Sequence, residues 1–333
     1  MRRLFLSCLA SLALYFGLFA AVLDRPLSNG SLSRQIEAKL SRGAAIVGPK
    51  LVVLAGSNGP YSHRCETIEP IVGLPCVNAG VAVGIGLDYL FARWEPLLRV
   101  GDVVYLPMEP TQYSRGRVEN TLGPDAAILF RHDWQTLAAL APDRWLGAAF
   151  SSDLRAAVMS VVETSLSVLA PYGLRLADAS EINAWGDHIG HTEALAVASR
   201  GVLAAMHPVF PGANEIARGY GSERIAGFTE RATARGVIVI GGLSTGFIDA
   251  ALTEAQIAAI SEIYSAHGGQ FLILDNRSRY PREMFFDSAA HLNEAAQITH
   301  SHRVGVALRA ILGLPVADQV MAGAASAAIV TPR

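Results

Sequence analysis

The chain has 333 residues, 51% of them hydrophobic and 17% charged, with a formal net charge of -2. That composition belongs to an ordered globular protein and excludes a disordered chain, which has too little apolar surface to offset the entropy of ordering. With no run of lysines and arginines there is no field to gather a polyanion, so nucleic acid is not an expected partner.

At the start, Arg2 and Arg3 precede an uncharged apolar run from Leu4 to Leu23, 20 residues long. As a helix that run would be about 30 Å long, the thickness of a bilayer's hydrocarbon core, whereas the apolar part of a cleaved signal peptide is about 7–15 residues. No small-x-small cleavage site precedes Asp24. The expectation is therefore a transmembrane signal anchor over residues 4–23, with a cleaved peptide and a buried soluble helix as alternatives. The leading arginines place residues 1–3 in the cytoplasm and the rest outside, as a single-pass inner-membrane protein with a periplasmic domain. Cys8 falls in the run. In an oxidising compartment Cys65 and Cys76 would close a short loop, and two buried free thiols are the other reading.

Residues 24–45 form a polar tether, Ser28-Asn29-Gly30-Ser31, and a short helix over about 33–42. A domain over residues 46–315 follows. Leu51-Val52-Val53-Leu54-Ala55 is a continuous apolar run ending at Gly56, the pattern of a strand buried on both faces of a parallel sheet. Similar runs occur at 75–78, 103–106, 236–240 and 271–274, separated by helical periodicity at 87–98, 253–266 and 294–312. Strands alternating with helices predict an α/β fold: three layers, α/β/α, around a mainly parallel, doubly wound, flavodoxin-like sheet. The interval from about 114 to 235 is too long for one crossover and reads as a helical insertion, with helices at 152–169 and 193–206. Residues 316–333, Ala-rich, read as a loosely ordered tail.

In open α/β sheets reacting groups gather at the carboxyl ends of the strands. The first strand runs into Gly56-Ser57-Asn58-Gly59, where a small residue before the serine permits a sharp turn that exposes Oγ. A serine hydroxyl needs a base, and the base needs a group to orient it. After the last strand Phe286-Asp287-Ser288-Ala289-Ala290-His291-Leu292-Asn293 supplies both, with Asn293 as the N-cap of the terminal helix. The predicted catalytic set is Ser57 as nucleophile, His291 as general base and acid, and Asp287 as the residue that orients it.

Together with the turn Asn78-Ala79-Gly80, these segments resemble the SGNH, or GDSL-type, hydrolase superfamily: Ser57 matches its block-one serine, Gly80 its block-two glycine, and Asp287 with His291 its last block. Within it the chain is most similar to membrane-anchored members of polysaccharide acylation systems and to the D-alanine transfer protein of teichoic acid modification. Those members tend to carry Gly-Asp-Val-Val leading to Glu, as Gly101-Asp102-Val103-Val104 leads here to Glu109, and Phe-Phe/Tyr-Asp leading to His-Leu-Asn. The resemblance implies acyl-ester chemistry without a cofactor or metal, on an exopolysaccharide such as cellulose, beside a membrane-bound acyltransferase or synthase complex. It also implies an oxyanion hole from the backbone N–H groups of Ser57 and Gly80. Two departures stand out. The Asp-to-His spacing is one residue longer than usual, and the block-three Gly-x-Asn-Asp is replaced by Pro107-Met108-Glu109-Pro110-Thr111-Gln112-Tyr113. Gln112 is the candidate substitute donor, with Asn58 and Asn78 as further pocket candidates.

Other signals are weaker. His188 and His191 have a spacing that suits a metal on a helix, but the intervening glycine favours a solvated loop. His63 follows Ser57 closely and reads as a surface or structural residue, with a place bordering the pocket as the alternative. His300 and His302 read as lying on the polar face of the terminal helix or near its partners. Gly241 to Gly246 lacks the ending of a phosphate loop, and Arg277, Arg279 and Arg282 read as solvent-facing, with an anionic substrate or lipid headgroups as the functional alternative. The rival to an enzyme is a catalytically silent scaffold or binding protein in a cell-envelope polysaccharide assembly.

Overall fold

The computed structural model describes residues 1–22, 27–150, 158, 161–162, 165 and 182–314. Five strands make one parallel sheet: β1 (Leu51–Val53), β2 (Cys76–Asn78), β3 (Val103–Leu106), β4 (Ile238–Gly242) and β6 (Gln270–Leu272). Their order is β2-β1-β3-β4-β6, with Val52 opposite both Val77 and Val104. Two short strands not foreseen from the sequence, β5 (Gly246–Phe247) and β7 (Arg279–Tyr280), pair in parallel beside it.

Alternation along each strand explains why the runs are apolar throughout. Val52, Leu54, Val104, Leu106 and Val239 face one core with residues of the helices Leu27–Ala45, Leu87–Trp94, Tyr220–Ala234 and Glu254–Ser265. Leu51, Val53, Val103, Tyr105 and Ile240 face the other, with the helices Cys65–Val72 and Glu294–Ile311. Each such aliphatic side chain contributes about 1.5–3 kcal/mol by leaving water. The expected three-layer α/β architecture with a mainly parallel sheet is therefore present. The order reverses at β1, which lies between β2 and β3, and this puts a crevice beyond its carboxyl end.

The other end of the sheet is tied by charge. Lys50 and Asp102, both fully buried, pair at 2.5 Å, and Asp102 also accepts the backbone N–H of Lys50 at 3.0 Å and of Arg99 at 2.9 Å. Cys65 and Cys76 are joined in a disulfide with Cα atoms 5.3 Å apart, linking the start of a helix to the start of β2.

Several boundaries differ from expectation. The tether helix is longer, Leu27–Ala45. The helix expected over 193–206 is broken into Glu193–Ala196, a 3-10 turn Val197–Ser199 and Arg200–Ala205, near Val197, Ser199 and Gly201, which are weaker helix formers. The last helix of the long interval, Tyr220–Ala234, packs in the sheet's own helical layer, where Phe228 stacks on Phe91 at 4.3 Å. Most of 152–169 and all of 316–333 lie outside the described residues.

The N-terminal helix Arg2–Val22 leaves Leu4, Phe5, Leu6, Leu9, Leu12 and Leu14 exposed, and it meets the domain where Phe16 stacks near Phe130 and Phe150. Among the described residues no helix is long and apolar enough to cross a membrane. The spanning segment expected over 4–23 is thus not found in the fold, and its last residue, Leu23, lies outside the described residues.

Candidate active site

The site is built where β1 ends. Neighbouring strands hold that end in place, with Leu54 N–H donating to the Tyr105 carbonyl and Ala79 N–H to the Val53 carbonyl. The chain turns at Gly56, and Ser57 stands immediately before the short helix Asn58–Ser62 without a side-chain capping bond, which leaves its hydroxyl to His291. The glycine is required by packing: a Cβ on Gly56 would stand 2.9 Å from Val83 Cα, and one on Gly80 would stand 2.7 Å from the Gly56 carbonyl and 2.8 Å from Gly59 Cα. Gly56, Gly59 and Gly80 therefore let the turns after β1 and β2 press together.

Onto this turn the closing loop delivers His291. Its Nε2 is 2.8 Å from Ser57 Oγ and its Nδ1 is 2.6 Å from Asp287 Oδ1, across 234 residues of sequence in the first case. Asn293 caps the helix Glu294–Ile311, as its side chain accepts from Ala296 N–H, and Phe286 N–H donates to the His291 carbonyl at 2.8 Å. Ser62 and Thr245 both donate to the Ala290 carbonyl, at 2.7 and 2.8 Å, and Ser62 Oγ accepts from Leu292 N–H. The helix that begins at Ser57 thus clamps the loop that carries His291. The extra residue between Asp287 and His291 is accommodated inside this clamped loop.

Tyr61, one turn after Ser57, stacks on His291 with ring centroids 4.2 Å apart and also on His188 at 4.1 Å. His188 and His191 are buried, and their Nδ1 atoms approach to 3.2 Å. This corrects the expectation of a solvated loop: an aromatic wall needs their rings. Burial alone would raise the pKa of Asp287, but its hydrogen bond to His291 and the nearby His188 and His191 outweigh that and hold the carboxyl below its ordinary value. Burial and the charge of His188 push His191 down to about 4. Among the described residues no group of three or more His, Cys, Asp or Glu is arranged to hold a metal ion.

The remaining candidates are placed as follows. Asn58 is fully buried, and its Nδ2 donates to the Pro107 carbonyl at 2.7 Å. Asn78 Nδ2 donates to the carbonyls of Gly59 and His63 and to Asp187 Oδ1 at 3.0 Å, so it braces the Ser57 helix from behind. Gly80 N–H is 3.4 Å from Asn78 Oδ1, and its carbonyl accepts from Lys39 Nζ, so both backbone groups face protein partners rather than a substrate. Gln112 Oε1 accepts from Glu109 N–H at 3.0 Å, which commits the carboxamide to capping the helix Pro110–Ser114. His63 is buried, not at the surface: it meets the Asn58 carbonyl at 3.2 Å and His300 Nε2 at 3.3 Å, and His300 meets Tyr280 hydroxyl at 2.9 Å. His302 is exposed on the terminal helix. Arg277 is half exposed and pairs with Glu254, whereas Arg279 is buried over Phe210 and Arg282 bridges Asp249 and the Met206 carbonyl. Solvent-facing positions were expected for all three, and the apolar surroundings of Arg279 set it apart.

Three contributors are not among the site residues expected from the sequence. Asp187 accepts from Cys65 and Glu66 N–H and from Asn78, so it caps a helix and joins the long interval to β2. The Ser62 and Thr245 clamp is the second. The third is Glu109, whose carboxyl reaches the Ser57 turn: its Oε1 would be 3.1 Å from a Cβ on Gly56. Comparison with known proteins gives no match to this chain, whether to a family model, a curated protein or a solved structure.

Proposed function

We propose that the chain is a membrane-anchored, extracytoplasmic serine esterase or O-acyltransferase of SGNH type, acting on acyl esters, in the simplest case acetyl esters, of an exopolysaccharide such as cellulose. The observation that carries it is the continuous hydrogen-bonded relay Ser57–His291–Asp287, with heavy-atom distances of 2.8 and 2.6 Å. Those distances are within the reach proton transfer needs.

In the first step Ser57 Oγ attacks the ester carbonyl carbon while its proton passes to His291 Nε2, and Asp287 holds the imidazole by Nδ1–H. The Ser57 N–H is the backbone donor for the negative oxygen. Collapse breaks the bond to the leaving alcohol, which takes the proton from His291 and leaves an acyl ester on Ser57. An acceptor then loses its proton to His291 and attacks the acyl carbon; the bond from that carbon to Ser57 Oγ breaks as Oγ takes the proton from His291, which regenerates the hydroxyl. Water gives an esterase and a sugar hydroxyl an acyltransferase.

The anchor belongs to the same reading. Support comes from the uncharged run behind Arg2 and Arg3, from the leucines that the first helix exposes, and from the Cys65–Cys76 disulfide, which suits an oxidising compartment. The experiment is turnover of p-nitrophenyl acetate by residues 24–333, with Ser57→Ala as control, followed by intact mass of protein incubated with acetyl donors. Loss of turnover in the variant and an acyl adduct on Ser57 are expected. A wild-type protein that neither turns over nor acquires an adduct overturns the enzyme in favour of a silent scaffold, the reading that the missing block-three asparagine favours.

A further inference from the structure

Beyond β3 the chain carries Pro107-Met108-Glu109, so the position from which an amide donor is expected in the resemblance is occupied by a carboxyl group. The tertiary structure brings that carboxyl against the turn that carries the serine, between Gly56 and Asn58. Glu109 Oε1 lies 3.1 Å from where a Cβ of Gly56 would be, the residue immediately before Ser57. Its other surroundings are the Asn58 backbone N–H, His291 and Arg115. Arg115 itself is turned away, donating to the Val83 and Ile85 carbonyls. Oε1 is buried and has no hydrogen-bond partner in the protein, which is costly for a carboxylate oxygen and less so for the neutral acid. Asn58 Oδ1, on the residue that follows Ser57, is likewise without a partner.

We propose, resting on the serine-acyl reading above, that Glu109 is a catalytic residue that works as the neutral acid, its carboxyl O–H donating to the carbonyl oxygen of the ester as that oxygen acquires negative charge during attack by Ser57. No proton is transferred in this step: the O–H bond is kept, the hydrogen bond shortens as charge develops, and it relaxes when the tetrahedral intermediate collapses. The acid form agrees with the surroundings. Burial raises the pKa of Glu109, opposed by the charge of His291, the Asn58 N–H and Arg115, and burial prevails. A carboxylate here would repel the oxyanion, whereas the acid stabilises it, so the working form is lost as pH rises through the raised pKa.

The test uses a fluorophosphonate, which phosphonylates an activated serine whatever the natural substrate is, with intact mass reading the rate at Ser57 across pH in the full chain. Wild type is expected to show a rate that falls at higher pH. Glu109→Gln keeps an N–H donor of the same shape, so it should label within about tenfold of wild type and lose the descending limb, while Glu109→Ala should slow labelling by about a hundredfold or more. A Glu109→Gln protein as slow as Glu109→Ala, or an Ala variant as fast as wild type, overturns the proposal. If neither variant folds, the wild-type profile decides, and a rate that reaches a plateau with no descent overturns it. Absence of any labelling in wild type that Ser57→Ala removes instead overturns the serine reading itself, and this proposal with it.

Discussion

At the scale of single residues, the relay places different demands on its members. Asp287 is partly exposed, and its carboxyl is held below the ordinary value once the His291 hydrogen bond outweighs the effect of burial. A depressed carboxyl pKa gives stability that is present above the unfolded value and is lost as pH falls through the folded one, so the Asp287–His291 contact should open only under acid conditions. Asp287→Asn leaves the shape but turns a donor toward His291 and favours the wrong tautomer. Esterase kcat is expected to fall by about a thousandfold to ten-thousandfold with little change in melting temperature, and a variant that retains wild-type kcat would show that the aspartate does not orient the base. Tyr61→Ala removes the ring stacked on His291, and kcat should drop about tenfold while KM stays, since what is lost is the orientation of the base and not a substrate contact. A rise in KM alone would assign Tyr61 to binding.

At the scale of elements, the fold is held at both ends of the sheet by devices that a local pattern does not display. Asp102→Ala leaves Lys50 as an unpaired buried cation under β1 and β3, and a loss of about 3–5 kcal/mol in denaturant unfolding is expected. A loss below about 1 kcal/mol would mean that water reaches the pair. Between the Ser57 helix and the terminal helix, His63 and His300 are both fully buried and touch through Nε2. Burial pushes His63 down to about 4, against the Asn58 carbonyl, and pushes His300 well down too, helped by His63 and Arg303. Their folded pKa values lie below the unfolded value near 6.5, so the unfolded chain binds more protons between the two. Stability should therefore be full above pH of about 6.5 and decline toward about 4, by on the order of 3 kcal/mol from His63 alone. Urea midpoints measured against pH check this, and His63→Gln should flatten the slope. A slope unchanged in that variant would assign the acid sensitivity elsewhere.

At the scale of the whole molecule, the proposed anchor makes a prediction about partitioning: the full chain should resist alkaline extraction from membranes, whereas residues 24–333 should be soluble, and a full chain recovered in the soluble fraction would remove the anchor from the proposal. The parallel sheet was legible in the sequence because a strand buried on both faces must be apolar at every position, as Leu51 to Val53 and Val103 to Leu106 are. The cap at Asn293 was legible because it depends on four consecutive residues, and Ser57, Asp287 and His291 because the carboxyl ends of strands are where an α/β fold gathers chemistry. Tertiary structure alone decided the rest. Gly80 turned its N–H to Asn78, Gln112 was drawn into capping its own helix, and His188 with His191 became a wall against Tyr61. Glu109 and Asp187 reach the site from the long interval between β3 and β4, and Thr245 from the connection after β4. The physical reason is range: periodicity and capping act within a turn or a strand, while the direction in which a polar side chain points is fixed by partners that the crossovers bring from 40 to 240 residues away.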